Sequence, residues 1–594
     1  MKELAYLNKY FLKYKTRFFW GFLFVAISNY FRVLQPQMVR HALDLVVDNV
    51  ALYQLHEGFG LQESLFERIG GTLLLFAALV IGFALMMGFF MFFMRQTLIV
   101  MSRMIEYDLR NEIYTHYEKL TLAFYKRNNT GDLMARITED VNHVRMYLGP
   151  AVMYTINLTI LCVMVVYSMI QVSPTLTFYA LLPLPVLSIS IYYVTSIINR
   201  KSTKIQEQLS KLNSLSQEVY SGIRVVKSYG QEHAMGRYFS SETEIFKNRS
   251  LELAKVNAFF YPLMLLLIGI STIITLYVGG TLVINGSITA GNIAEFVIYI
   301  NMLAWPVTSI GWVASIIQRA AASQKRINEF LKTEPDVLAD DRLPKIPVQG
   351  AITFDNVSFT YPDTGIKALQ NVSFSLQKGQ RMAIVGRTGS GKTTMADLLL
   401  RMYDASEGEI LLDGKALPAH NLAHLRERIG YVPQDVFLFS DSIYNNIAFG
   451  QSDASQETIK EYAKHASVYT DIMNLPEQFD TIVGERGVTL SGGQKQRVSI
   501  ARALIKQPDI VLLDDCLSAV DTKTEAEITN YLNEACADKT TIIITHRLYA
   551  ALQFDLIVVL DDGRIAEMGT HEELLLNKGY YYDIYEKQRM EEVE

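Results

Sequence analysis

The stretch Gly386-Arg387-Thr388-Gly389-Ser390-Gly391-Lys392-Thr393 satisfies the phosphate-binding pattern G-x-x-x-x-G-K-[ST] at every fixed position. Glycines let successive backbone N–H groups turn toward phosphate oxygens, and the N-terminus of a following helix adds positive potential. Lys392 is expected to reach the β- and γ-phosphates of a nucleoside triphosphate, and Thr393 to ligate Mg2+. Gly386, Thr388, Gly389, Ser390, Gly391 and the adjoining Thr394 complete the expected ATP cradle. Further along stand Leu490-Ser491-Gly492-Gly493-Gln494 and then Val511-Leu512-Leu513-Asp514-Asp515. A carboxylate at the end of a buried strand can hold Mg2+ through water, the role expected of Asp514. His546 follows a third apolar run, residues 540–545, and is expected to face the γ-phosphate.

The elements around these residues suit that chemistry. Residues 381–385 read as a short buried strand running straight into the glycine loop, and Leu398, Leu399 and Leu400 belong to a helix that follows it. Strand, loop and helix in that order are the context the motif requires. Alternation at Ile352, Phe354, Val357 and Phe359 predicts further strands, and residues 510–513 a buried one. The spacing predicts an α/β P-loop nucleotide-binding domain over residues 351–594.

The first half differs. The chain has 594 residues, too many for one core, and its uncharged runs are concentrated before residue 320. A net charge of −6 offers no basic surface for nucleic acid. Cys162, Cys516 and Cys536 have no metal-ligand spacing, so a reducing cytosol without disulfides is expected. Lys2, Lys9, Lys13, Lys15 and Arg17 interleave with Leu4, Tyr6, Leu7, Tyr10, Phe11 and Leu12, a basic amphipathic segment suited to the inner membrane surface and not to a cleavable signal. A spanning helix needs about 20 mostly apolar residues. Six are expected: residues 18–39, residues 71–94, two within residues 146–199 that turn at Ser173-Pro174, one from residue 256 that ends by Gly279-Gly280 or Asn285-Gly286, and residues 295–318. An all-α bundle of six spans over residues 1–325, a linker over 326–350 and the cassette over 351–594 follow. Charge bias places the N-terminus and the ATP-binding half in the cytoplasm, with the acidic 44–67 loop outside. The inward loops 95–145 and 200–255 carry helically spaced apolar residues such as Leu109, Ile113, Tyr117 and Leu120. They are expected to continue the spanning helices and fold back through short crossing segments that touch the ATPase. Arg32, Gln35, Gln37, Asn157, Asn301, Trp305 and Trp312 are candidates for a cavity wall.

Taken together, these motifs resemble those of the ATP-binding-cassette (ABC) exporters, in particular half-transporters with six spans fused to one cassette. The resemblance covers essentially the whole chain. It implies that Tyr361, in Phe359-Thr360-Tyr361-Pro362, stacks on adenine. It implies that Gln434, in Tyr431-Val432-Pro433-Gln434, touches Mg2+. Ser491, Gly492, Gly493 and Gln494 look like the signature that contacts the γ-phosphate held by another cassette. Ser518-Ala519-Val520-Asp521 resembles the loop that crosses the cassette interface, and residues 481–487 the exporter segment that meets the crossing helices. Phe124-Tyr125 with Thr130-Gly131-Asp132-Leu133, and Gly222-Ile223-Arg224-Val225-Val226-Lys227, are similar to exporter intracellular loops and favour export over import.

The resemblance implies a dimer in which two chains sandwich two ATP molecules, with ATP favouring the closed pair and hydrolysis resetting it. It also implies a departure. The family usually has Glu after the strand-ending Asp, where it orients the attacking water, and here the residue is Asp515. Its carboxylate is one methylene further back, and misplacement of that order costs about a hundredfold in rate. The resemblance therefore shifts toward a heterodimeric exporter in which this chain's own site is degenerate. A homodimer that tolerates Asp and a regulatory, non-transporting subunit are the other readings. Amphipathic substrates (drugs, lipids or peptides), a multi-pass bacterial inner-membrane location and membrane-lipid partners are expected.

Overall fold

The computed structural model describes residues 2–340, 342–484, 487, 489–516, 522–536, 538–546 and 554–593. The chain divides into two compact units, Met1–Tyr117 with Gly131–Thr333, and Glu118–Thr130 with Glu334–Glu594.

The first unit is all helix. Among the described residues, five helices are long and apolar enough to cross a bilayer: Gly60–Lys119, Thr130–Val172, Pro174–Ser221, Glu232–Ile284 and Ala290–Leu331. A sixth long helix, Lys15–Leu55, has Arg32, Gln35, Pro36 and Gln37 through its middle, which lowers its mean hydropathy as the sequence suggested. The expected turn is present: Ser173 caps the next helix, its hydroxyl accepting the Leu176 N–H at 3.2 Å, with Pro174 at the first helical position. Gly279-Gly280 is no helix end; Glu232–Ile284 runs through it and stops before Gly286, whose φ of 71° reverses the chain. Gly60–Lys119 has 60 residues, about 90 Å at 1.5 Å per residue, so it extends far beyond the hydrocarbon core. Leu109 and Ile113, in its outer third, are fully buried against other helices. The second crossing segment, Ile223–Ser228, has no buried residue.

The N-terminal segment differs from a helix with its apolar side free for lipid. Leu4, Leu7 and Tyr10 are buried against protein. Tyr6 and Tyr10 donate to the Glu112 carboxylate, Lys9 pairs with it, and Lys13 pairs with Asp108 at 2.6 Å. Of the expected cavity residues, Asn157 accepts from Asn29 at 2.9 Å, and Trp305 and Trp312 both pack on Tyr154. Asn301 is taken up by the Val297 carbonyl of its own helix. Sequence reasoning missed the fully buried Glu295, which accepts from Tyr299 at 2.9 Å and pairs with Arg40 at 3.1 Å.

The second unit holds two sheets. An antiparallel sheet has the order β2-β1-β4-β5, with β1 Ile352–Thr360, β2 Lys367–Leu376, β4 Glu407–Leu412 and β5 Lys415–Ala416. A second sheet has the order β10-β9-β3-β8-β7-β6, with β3 Arg381–Gly386, β6 Ile429–Val432, β7 Ile510–Asp514, β8 Thr540–Ile544, β9 Leu556–Asp561 and β10 Arg564–Gly569. Strands β9, β3, β8, β7 and β6 pair in parallel, and β10 is antiparallel. Every residue of β7 and β8 is buried, as parallel strands covered on both faces must be. In such sheets ligands sit beyond the carboxyl ends of the strands, where β3 gives way to residues 386–391, β7 to Asp515 and β8 to His546.

The segment 118–130 belongs to this second unit. Its helix Leu122–Arg127 sets Leu122 and Ala123 into the cassette core, and Arg127 pairs with Asp336 at 2.9 Å. Lys126 Nζ lies 5.1 Å from the Tyr361 ring centre and 5.5 Å from that of Tyr403.

Candidate active site

The loop after β3 needs backbone shapes that side chains resist. Gly391 has φ of 101°, and a Cβ there would come 2.5 Å from the Ala368 carbonyl oxygen. The helix Lys392–Leu399 starts at once, so its free N–H groups point into the space the loop surrounds. Lys392 is almost fully buried, and its ammonium donates to the Gly386 carbonyl at 2.9 Å and the Arg387 carbonyl at 2.7 Å. Burial holds its pKa below the usual lysine range, while Asp514 and Asp515 pull it back up.

A cleft of about 690 Å3 gathers Tyr361, Thr388, Gly389, Gly391, Lys392, Thr393, Thr394, Gln434, Asp514, Asp515 and His546. Most of the residues singled out from sequence therefore meet, although they come from five separate stretches of chain. Volume and polarity suit a nucleotide-sized ligand. Gly386 and Ser390 sit in the loop itself, and the Ser390 hydroxyl is buried with no hydrogen-bond partner in the structure.

Asp514 closes β7 at 1 % exposure. Burial raises its pKa, opposed by a hydrogen bond from Thr393 and reinforced by neighbouring Asp515. Its Oδ2 is buried without a hydrogen-bond partner among the described residues. An orphaned carboxylate oxygen beside Thr393 and Gln434 is the donor set a hard divalent cation takes. Asp515 adopts φ of 46°, in the left-handed region that Asp tolerates better than most residues. The His546 pKa is held below its ordinary value by burial and then by Lys392, opposed by Asp515 and a hydrogen bond with the Gly386 main chain.

At the Tyr361 end of the cleft, Tyr361 donates to or accepts from Thr394 Oγ1 at 3.0 Å and meets Phe359 and Tyr403 edge-to-face at 5.0 and 5.6 Å. Asp397, on the helix behind the loop, is 8 % exposed. Burial pushes its carboxyl up to about 6, against the opposing charge of Lys126. Sequence reasoning missed Asp397, Tyr403 and Lys126: no motif marks the first two, and Lys126 comes from a stretch of chain far before Tyr361.

Ser491, Gly492, Gly493 and Gln494 do not line this cleft. They begin the helix Gly492–Leu504, where Ser491 and Gln494 form a reciprocal capping box: Gln494 N–H donates to the Ser491 hydroxyl at 3.3 Å and Ser491 N–H to Gln494 Oε1 at 3.0 Å. The S-x-x-Q spacing was a readable signal for that cap. Gln494 also donates to Asp471, which pairs with Arg497 at 2.8 Å. Asp521, with residues 518–520 and 485–486, lies outside the described residues.

The glycine loop, the Asp514 oxygen and His546 meet in one cleft of a chain that also has, among the described residues, five helices long and apolar enough to cross a bilayer, a combination suited to a membrane protein that binds a nucleoside triphosphate. Comparison with known proteins agrees. The family model "ABC transporter transmembrane region" matches residues 18–307, and "ABC transporter" matches residues 369–518. The chain is 38% identical over 588 residues to "Probable multidrug resistance ABC transporter ATP-binding/permease protein YheI" of Bacillus subtilis, covering 99% of this chain and 98% of that one. It is 35% identical over 592 residues to "Multidrug resistance-like ATP-binding protein MdlA" of Escherichia coli, covering 100% and 97%. An "ATP-dependent lipid A-core flippase" of Syntrophus aciditrophicus is 36% identical over 486 residues, 82% of this chain and 80% of that one. A solved bacterial Atm1-family ABC exporter with ATP bound superposes with a TM-score of 0.76 at 28% identity, covering 97% of this chain and 98% of that one. The chain belongs to the ABC transporter family, and it is an ATP-hydrolysing membrane transporter.

Proposed function

We propose that this chain is one half of a dimeric ATP-driven exporter or flippase that moves amphipathic molecules out of the cytoplasm or inner leaflet. One observation carries the dimer: the phosphate loop, Asp514, Gln434 and His546 share a cleft that Ser491–Gln494 do not reach. A second chain must then bring its own signature to this cleft. The exposed Tyr220, Val225 and Tyr229 around the second crossing segment are further apolar surface for a partner.

In this reading Lys392 and the loop N–H groups hold the triphosphate, and Tyr361 stacks on adenine. Thr393, Gln434 and Asp514 hold Mg2+, which when bound neutralises charge on the β- and γ-phosphates. His546 accepts or donates a hydrogen bond at the γ-phosphate, and Asp515 orients the attacking water from a position set too far back. The short acid favours a heterodimer whose partner carries Glu there and borrows this chain's signature. The relatives' names, multidrug proteins and a lipid A-core flippase, support lipophilic or lipid cargo. Basic segments beside the spans support a bacterial inner membrane with a cytoplasmic N-terminus and cassette.

Native-level expression of the tagged chain, purification in lipid nanodiscs and identification of what co-purifies test the partner. A second half-transporter with Glu at the matching position is expected. A two-fold symmetric homodimer with brisk ATP turnover overturns the heterodimer. Uptake of a fluorescent amphiphile into inside-out proteoliposomes tests export, and an ATPase-active complex that moves no member of a lipid and drug panel favours the regulatory reading.

A further inference from the structure

The C-terminal helix Tyr580–Val593 reaches back to the end of β8. Gln588 Nε2 donates to the main-chain carbonyl oxygen of His546 at 2.6 Å. The base of this helix is fixed. The Glu567 carboxylate accepts the N–H groups of Tyr580 at 2.6 Å and Tyr581 at 3.0 Å, two of the donors a helix leaves free at its start. Tyr581 is fully buried with Ala383 and Val385 of β3 and Ile557 and Val559 of β9. Above it, the Arg387 guanidinium of the phosphate loop lies 5.4 Å from the Tyr580 ring centre. One helix thus touches both the loop after β3 and the residue after β8.

The way Gln588 meets His546 matters. A cavity of about 610 Å3 opens between the helix and the phosphate loop, lined by Arg387, Thr388, His546, Tyr580, Lys587 and Gln588 among others. Gln588 lines this cavity, and its amide reaches the His546 carbonyl from the cavity wall. On the other side of His546, the Thr545 N–H donates to the Ile384 carbonyl at 3.1 Å. The main chain is thus held before His546 at the Thr545 N–H and after it at the His546 carbonyl, which together fix the Cα from which the imidazole projects toward the Gly386 main chain.

We infer that Gln588 is a positioning residue for His546, aiming the imidazole through its main-chain carbonyl. The inference rests on the reading of His546 as the γ-phosphate partner. A misaimed catalytic group costs turnover and leaves substrate binding alone, because its contact counts mainly in the transition state.

The test uses the full chain in nanodiscs with whatever partner it assembles with; where that partner is a different chain, the lysine of its own phosphate loop is replaced, so that turnover reports the site that holds His546. Gln588→Leu and Gln588→Glu both remove the donor, and each is expected to lower kcat about tenfold with KM for ATP and Tm unchanged. Gln588→Lys keeps a donor of similar reach, the cavity has room for it, and it is expected to restore turnover. Wild-type kcat in Gln588→Leu, or a loss that Gln588→Lys fails to restore, overturns the inference. A fall in Tm or a rise in KM matching the fall in kcat also overturns it, since it would mark a merely structural contact. His546→Ala separates the two claims. If that variant keeps wild-type turnover, the reading of His546 fails; if it is inactive while Gln588 variants are normal, the positioning role alone fails.

Discussion

Asp515 donates its backbone N–H to the carbonyl oxygen of Ile544 at 2.8 Å, which pins the residue after β7 to β8 two positions before His546. With φ held at 46° as well, the main chain of Asp515 is fixed, and a longer side chain can carry the carboxylate further into the cleft. Lengthening it by one methylene in Asp515→Glu is expected to raise ATP turnover at this chain's own site about tenfold or more, read as phosphate release in lipid with the site of any different partner chain silenced. Unchanged turnover would show that the shorter acid does not limit the rate.

Gly391→Ala is expected to abolish tight ATP binding. The new Cβ meets the Ala368 carbonyl at 2.5 Å and Leu369 Cδ2 at 2.8 Å, and φ of 101° is itself unfavourable for alanine. Strain of about 1–3 kcal/mol corresponds to a roughly five- to hundredfold weaker Kd, measurable with a fluorescent nucleotide. Gly389→Ala is the contrast: it shares a positive φ of 85° but meets nothing within 4 Å, so its loss is expected to be smaller.

Asp397 makes the cassette sensitive to acid in a defined direction. Burial raises its folded pKa to about 6 from an ordinary 3.8. The folded state therefore holds the proton more tightly than the unfolded chain. The stabilising contribution is complete below about pH 4 and is lost as pH rises through about 6. An ionised Asp397 costs about 3 kcal/mol at pH 7. Asp397→Asn is expected to raise the cassette's unfolding temperature at pH 7 and to flatten its pH dependence between 4 and 6. Lys126→Met, which removes the opposing positive charge, is expected to move that window upward. Scanning calorimetry across the range checks both.

Ser491→Ala removes the hydroxyl that caps Gly492–Leu504, a loss of about 1 kcal/mol. Ser491 does not line the cleft, so nucleotide binding by the same chain is expected to stay normal. Turnover of the assembled dimer is expected to fall. Weaker binding by the isolated variant chain would contradict assembly of the site in trans.

Much of this was legible in the sequence because it depends on local physics. Glycines at 386, 389 and 391 announce a loop that turns N–H groups inward, and uncharged runs announce spans. Ser173-Pro174 read correctly because a cap and a helix-starting proline are both local signals. Gly279-Gly280 misled, because two glycines weaken a helix without ending it when a neighbouring helix packs against one of them; Ile293 lies against Gly279, while a Cβ at Gly280 would meet nothing within 4 Å. Residues whose meaning is set by distant partners were not legible. Asp397 and Lys126 look like ordinary solvated charges in sequence, as do Arg40 and Glu295. Gln588 lies 42 positions from the carbonyl it meets, in a segment with no motif.

The unbroken helix Gly60–Lys119 has a mechanical consequence. At about 90 Å, a tilt of roughly five degrees about one end sweeps the other through about 8 Å, further than the width of a lipid chain. A lever of that length needs no hinge at its middle: small angular changes at one end become strokes of that size at the other.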